Sequence, residues 1–183
     1  MTDPTSDSEA DRNPALELET RREIYKEIDD TPGVHFRALL EEFDYAKGTL
    51  QYHLRQLERG GLLEASDDGT YTRYYPAGSF DEADRAVMNA LRREYARRIV
   101  AHLAVEGGLT TTELSDRLDR SPSTVSWHLS KLEDAELVTK DRDGRRVVYE
   151  LTDPDRVEYL YTVHRRSFTD RVVDRLFDLW DSY

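Results

Sequence analysis

Two stretches of this chain, Lys47–Leu57 and Ser121–Leu132, pair a helical apolar stripe with small polar side chains. In the second, Val125, Leu129 and Leu132 recur at helical spacing and face inward, behind Ser121 as N-cap and Pro122 at the first helical position. That leaves Ser123, Thr124, Ser126, Trp127 and Ser130 outward, with Lys131 beside them. In the first, Leu50, Leu54 and Leu57 turn inward, and Lys47, Thr49, Gln51, Tyr52 and Arg55 remain outside. Hydroxyls, an amide and a guanidinium on one helix face are groups that pair with the edges of nucleotide bases. Glutamine pairs bidentately with adenine, and arginine with guanine. The open N–H groups of a helix start favour phosphate. Spacing sets the direction of this chemistry, not the identity of any base.

Phosphate contact also needs cations. After the second stretch, a hairpin carries Lys140, Arg142, Arg145 and Arg146 against Asp141 and Asp143. After the first, the hairpin sets Glu64, Asp67 and Asp68 against Arg73 alone. The second copy is therefore expected to be the better backbone binder, with Arg145 and Arg146 its leading pair. The first copy either reads through its helix or turns toward protein contacts. His35, His53, His102, His128 and His164 are scattered without ligand spacing, so neither metal nor cofactor is expected. His53 and His128 lie beside core leucines and read as packing residues. Tyr52 and Trp127 hold matching places, open between contact with a thymine methyl or sugar and a half-buried shoulder of the core. Arg92, Arg93, Arg97 and Arg98 either follow a nucleic acid or form solvated ion pairs. There is no nucleophile–base pair, glycine-rich phosphate loop or paired-histidine motif, so no enzyme is expected.

A repeat positions these residues. Arg22–Pro76 recurs without a gap as Arg97–Leu151, 75 positions on, with Ile24/Ile99, Gly33/Gly108, Leu39/Leu114 and Tyr74/Tyr149 among the shared pairs. A unit present only twice points to two small self-contained domains rather than a stacked array. In copy one, Thr20-x-x-Glu23 reads as a capping box opening a helix over 20–30, stopped by Thr31-Pro32-Gly33. Val34 is extended, and a short helix follows with Phe36, Leu39, Leu40 and Phe43 as its stripe. Asp44–Ala46 turns tightly into a helix over Lys47–Arg59, which Gly60 and Gly61 close before a hairpin around Asp67-Asp68-Gly69. Copy two repeats the order, with Thr110-x-x-Glu113 as capping box and a hairpin around Asp143-Gly144. Between the copies, Ser79-x-x-Glu82 opens one long connecting helix reaching Leu103. Asp153-Pro154 starts a last helix whose apolar stripe runs from Val157 to Trp180. One small domain cannot cover a stripe of that length, so a homodimer through this helix is expected.

Helix, short strand, helix, turn, helix, hairpin is the order of a winged helix-turn-helix, mainly α with small β wings. The expected organisation is a disordered acidic tail over 1–13, a first domain over 14–79, the connecting helix and second domain over 80–152, and a C-terminal helix over 153–183. SPSTVSWHLSKLEDAELV followed by DGRRVVYELT resembles the recognition helix and wing of ArsR/MarR-type winged-helix regulators. PGVHFRALLEEFDYAKGTLQYHLRQLERGGLLEASDDGTYTRYYP resembles archaeal, particularly haloarchaeal, tandem winged helix-turn-helix transcription regulators. The resemblance spans about residues 20–152. It implies double-stranded DNA at a promoter or operator as partner and transfers no effector. Two readers on one duplex face prefer a spacing near one helical turn, roughly 34 Å.

The formal net charge is -12, and lysine occurs only at Lys26, Lys47, Lys131 and Lys140. Arginine over lysine, acidic excess and absent cysteine resemble a protein from a salt-accumulating archaeon, kept in solution by a hydrated acidic surface. An acidic partner-binding face is the other reading. Net acidity does not exclude DNA, because the local field at the reading face decides. The N-terminal stretch has no basic and apolar leader pattern, and no apolar run approaches a membrane span, so a cytoplasmic protein is expected. The rival expectation is a winged-helix protein-interaction module with an acidic surface. RNA binding stays open to the same fold.

Overall fold

In the first unit, α1 (Pro14–Asp30) buries Ile24 and Ile28 one turn apart. Gly33, at φ +80°, turns the chain into β1 (Val34–His35). The computed structural model describes residues 14–168, and the chain divides after Ser79 into two units. The His35 imidazole caps α2 (Phe36–Glu42), its Nδ1 accepting the Ala38 N–H at 2.9 Å. Next come α3 (Lys47–Arg59) and a hairpin of β2 (Leu63–Asp67) and β3 (Thr72–Pro76). β1 pairs antiparallel with β3, giving the order β1-β3-β2 with Val34 opposite Tyr74 and Leu63 opposite Pro76. Leu50, Leu54 and Leu57 of α3 close over Ile24, Ile28, Val34, Leu39 and Leu63. Each such burial is worth about 1.5–3 kcal/mol, so this inward row seats α3 on the core.

The second unit adds α4 (Glu82–Leu91) and then follows the same plan. Its elements are α5 (Glu94–Glu106), β4 (Leu109–Thr110), α6 (Thr111–Leu118), α7 (Pro122–Asp134), β5 (Val138–Asp143), β6 (Arg146–Leu151) and α8 (Pro154–His164). The sheet order is β4-β6-β5, with Leu109 opposite Tyr149 and Val138 opposite Leu151. That is the register of the first sheet moved along by the repeat. The Thr110–Glu113 capping box, the Ser121 cap and the Pro122 start all form. A Cβ on Gly33 would lie 2.8 Å from the Tyr75 hydroxyl, and one on Gly108 2.6 Å from Val148 Cγ1. The paired glycines therefore stand where the short strand passes too close for a side chain.

Three expectations about helices change. α1 begins at Pro14, so Thr20 and Glu23 lie within it, and Glu23 accepts the Tyr45 hydroxyl at 2.9 Å. The connecting segment is two helices, with Arg93 extended at φ -100°, ψ 118° between them. There the buried Arg97 guanidinium donates to the Leu91 carbonyl at 2.8 Å, satisfying a group that the end of α4 leaves open. The cap of α4 is Asp81, boxed with Asp84, rather than Ser79. On α8, Val157, Leu160 and Tyr161 are buried within the second unit, where the helix packs on α4 and α5. That part of the apolar stripe is covered by its own domain. Val172, Leu176, Phe177 and Trp180, like the tail over 1–13, lie outside the described residues.

The first hairpin hides its cation. Arg73 is 5% exposed; its Nε donates to Asp68 Oδ2 at 2.5 Å and its Nη1 to the Gly33 carbonyl at 2.9 Å. Asp68 Oδ1 accepts the N–H groups of Thr70 and Tyr71, each at 2.9 Å. Burial works to raise the Asp68 pKa, but hydrogen bonds from Tyr71, Arg73 and Thr70 outweigh it and hold the carboxyl below its ordinary value. With the folded pKa below the unfolded one, this stabilisation is full above the unfolded value and is lost as pH falls through the folded one. Asp68→Ala leaves the Arg73 charge buried and uncompensated, an expected loss of about 3–5 kcal/mol at neutral pH in denaturant unfolding. The gap to wild type should close in acid. Equal stability at neutral pH would show that the pair does not hold the hairpin.

Candidate nucleic-acid interface

α3 and α7 present matching outer faces. Lys47, Thr49, Gln51, Tyr52 and Arg55 are exposed on α3. Ser121 at the cap and Ser123, Ser126, Trp127, Ser130 and Lys131 on α7 are exposed as well, while Thr124 is half-buried. Ser121 Oγ accepts the Thr124 N–H at 3.3 Å and shares hydrogen bonds of 2.9 Å with the hydroxyls of Ser123 and Thr124. This hydroxyl cluster fixes the start of α7. Like the short α2, neither α3 nor α7 has an acidic residue in its first turn, whereas α4, α5, α6 and α8 each do. Their first N–H groups are therefore not matched by a carboxylate of their own and suit an external anion. Arg59, one turn beyond Arg55, is exposed too. Sequence reasoning missed it, although the i, i+4 spacing from Arg55 was the available signal.

The aromatic pair resolves toward solvent. Trp127 is 58% exposed and Tyr52 36%. Trp127 meets the His128 ring edge-on at 4.9 Å, and Tyr52 meets His53 likewise at 5.2 Å. His53 is buried, and His128 also packs against Tyr95 at 5.5 Å. Burial lowers the His128 pKa, and the nearby charge of Arg93 lowers it further, both favouring the neutral ring. Both histidines thus shoulder an exposed aromatic ring.

On the second wing, Arg142 and Arg145 are exposed and form no ion pair with a described residue. The other cations are engaged. Arg146 Nη2 meets Glu113 Oε1 at 3.0 Å, Lys140 Nζ meets Glu133 Oε1 at 2.7 Å, and Lys131 Nζ meets Asp134 Oδ2 at 3.2 Å. Arg73 corrects the expectation for the first wing. Its position in the repeat is that of Val148, it faces inward, and the Asp68 pair removes it from any surface role. Comparison of the copies at that position was the overlooked signal. Arg73 is the hairpin's sole cation, so the first wing offers none to a phosphate. The two units therefore place their cations differently, on α3 in the first (Lys47, Arg55, Arg59) and on the wing in the second.

The arginines between the copies mostly serve the fold. Arg97 is buried on the Leu91 carbonyl, Arg98 pairs with Glu94 at 3.0 Å, and Arg92 lies 5.6 Å from the centre of the Phe168 ring. Among the described residues, no three of His, Cys, Asp and Glu gather as a metal site would require. The inward and outward rows of α7 should separate in mutagenesis. Leu129→Ala is expected to cost about 2–5 kcal/mol of stability, and Trp127→Ala under about 1 kcal/mol. A comparable loss for both, in thermal or denaturant unfolding, would place Trp127 in the core.

Residues 18–88 match a family described as an N-terminal HTH domain, and residues 92–141 match one described as a helix-turn-helix domain. The chain is 33% identical over 139 residues to an HTH-type transcriptional regulator, MJ1398, of Methanocaldococcus jannaschii, covering 76% of this chain and 35% of that protein. It is 40% identical over 72 residues to a Halobacterium salinarum protein named for arsenical resistance operon repression, covering 39% of this chain and 56% of that one. The chain thus spans about a third of the first relative and just over half of the second. Among solved structures, HlyU from Vibrio cholerae aligns at 27% identity with a TM-score of 0.41, over 46% of this chain and 90% of that chain. A homodimeric winged helix-turn-helix DNA-binding domain from Mycobacterium bovis aligns at 22% identity and a TM-score of 0.40, over 50% of this chain and 89% of that chain.

Proposed function

We propose that the chain, matched by two helix-turn-helix families and similar to archaeal regulators, is a winged helix-turn-helix transcription regulator of the ArsR type that binds promoter or operator DNA through α3, α7 and the second wing. One observation carries the reading. In a chain of net charge -12, residues 45–57 and 120–132 are the two longest stretches without Asp or Glu, and they cover all but the last two residues of α3 and α7. On both helices carboxylates are confined to the last two residues, away from the N-terminal faces that would meet phosphate. An acidic interaction module would have no such need. The local field favours DNA there, and the acidic remainder weakens non-specific binding.

Roles divide along the same lines. Gln51 and Arg55 read base edges, Ser123, Ser126, Ser130 and Trp127 read with hydroxyls and an apolar ring, and Arg142 and Arg145 hold the backbone. The reading requires no metal or cofactor, and its place of action is the cytoplasm. No described helix is long and apolar enough to cross a membrane. We also assign a homodimer to the C-terminal helix. Tyr159 and Val163, one turn apart on α8, are 65% and 55% exposed and lie outside its buried row of Val157, Leu160 and Tyr161; the helix expected to run on to Trp180 ends at His164 among the described residues.

Arg142→Ala with Arg145→Ala should weaken binding to all sequences and flatten the plot of log affinity against log salt by just under two. Gln51→Ala or Arg55→Ala should instead cost about 1–3 kcal/mol against the best site and relax preference at one position. Genome-wide mapping of the intact protein that finds no enriched sequence would favour the interaction module. For the dimer, Tyr159→Lys with Val163→Lys should shift sedimentation of the full chain from dimer to monomer. A wild-type monomer at micromolar concentration would remove that assignment.

A further inference from the structure

The cations that look best placed for phosphate are already held by carboxylates. Arg146 lies on β6 and reaches Glu113 at the N-terminal turn of α6, with Nη2 at 3.0 Å from Oε1. Lys140 lies on β5 and reaches Glu133 near the end of α7, with Nζ at 2.7 Å from Oε1. Each pair ties the wing to a helix of the helix-turn-helix, and each is substantially solvent-exposed, with side-chain exposures of 58% and 38% in the first and 52% and 36% in the second. Exposed pairs of this kind are weak enough to exchange. A phosphodiester, like the carboxylate it would replace, spreads one negative charge over two acceptor oxygens.

Resting on the DNA-binding reading above, we infer that Glu113 and Glu133 are positioning residues that stand in for phosphate in the free protein. They hold Arg146 and Lys140 until DNA takes them over. The exchange has a thermodynamic signature. When a cation docks on DNA, condensed counterions leave the duplex, and affinity falls as salt rises. When that cation is first withdrawn from a glutamate, the released carboxylate gathers cations from solution, which offsets part of the loss. The wild-type protein should therefore show a shallower salt dependence than its wing cations alone imply. Arg142 and Arg145, which form no ion pair with a described residue, contribute their full share. A chain of net charge -12 whose Arg146 and Lys140 must first leave a glutamate thereby holds on to DNA over a wider range of ionic strength.

Glu113 also accepts the Thr110 N–H at 2.7 Å as the third residue of the capping box. Glutamine can make that hydrogen bond without the charge, so Glu113→Gln should fold and melt as wild type does. Glu133→Gln is the parallel change. Against a fixed operator duplex, each is expected to raise affinity two- to fivefold at low salt and to steepen the salt slope by up to about one. The decisive measurement is a cycle with the partner. In an Arg146→Ala background, Glu113→Gln should change neither affinity nor slope, and the same should hold for Glu133→Gln in a Lys140→Ala background. A gain that persists without the partner cation means general repulsion between carboxylate and DNA, and overturns the inference. So does a gain equal to that of Asp141→Asn, which removes an exposed wing carboxylate outside both pairs. Unchanged slopes in both glutamine variants overturn it as well. If the wild-type protein binds no DNA at any salt concentration, the DNA-binding reading itself fails, a result distinct from these.

Discussion

The inward row of three residues on each of α3 and α7 is the constraint on which the rest depends. Leu50, Leu54 and Leu57 on α3, and Val125, Leu129 and Leu132 on α7, are all buried. At 3.6 residues per turn, holding that row against the core fixes the direction of every other side chain on the helix. Rotating α3 far enough to hide Gln51 or Arg55 would expose two leucines and bury a polar group, each costing a few kcal/mol. The outer faces can therefore diverge between the copies without disturbing the fold. Gln51 and Arg55 in one correspond to Ser126 and Ser130 in the other. The duplication preserves the scaffold and leaves the reading surface open to change.

Arginine does two jobs in this chain, and burial separates them. Arg73 and Arg97 lie inside and spend their donors on backbone carbonyls and, for Arg73, a carboxylate. A planar guanidinium with donors in a fixed fork suits such sites better than an ammonium group. Arg55, Arg59, Arg142 and Arg145 lie outside, toward solvent. In a chain so rich in acid, the placement of a few exposed cations sets the local field more than the total charge does. The first unit gathers them on its helix and the second on its wing. Duplication of one fold has thus given two different electrostatic surfaces.

Local signals decide most element boundaries, although the Thr20-x-x-Glu23 and Ser79-x-x-Glu82 patterns do not start helices. The bounds of α3, the capping box of α6, the Ser121-Pro122 start of α7 and both hairpins follow from caps, apolar spacing and turn glycines, which act within a few residues. Contacts between distant residues were not legible in that way. The break between α4 and α5 has no proline or glycine to mark it; a buried Arg97 supports it from within α5. The capping box assigned to Thr20 and Glu23 was a false start, because α1 extends back to Pro14 and Glu23 is engaged by Tyr45 across the turn. Arg73 was misplaced because its charge was weighed before its strand position.

What the sequence determined alone was the order of elements from the short strand to the hairpin within each copy, the repeat, and which side of α3 and α7 faces water. These depend on spacing, and spacing is written along the chain. What only the tertiary structure decided was which cations remain available. Arg73 disappears into a pair with Asp68, Arg146 and Lys140 are held by Glu113 and Glu133, and Arg142 and Arg145 stay exposed. The reason is physical. An ion pair depends on a separation of a few ångströms between side chains that the sequence places from five positions apart, as for Arg73 and Asp68, to 33 apart, as for Arg146 and Glu113, and only folding sets that distance.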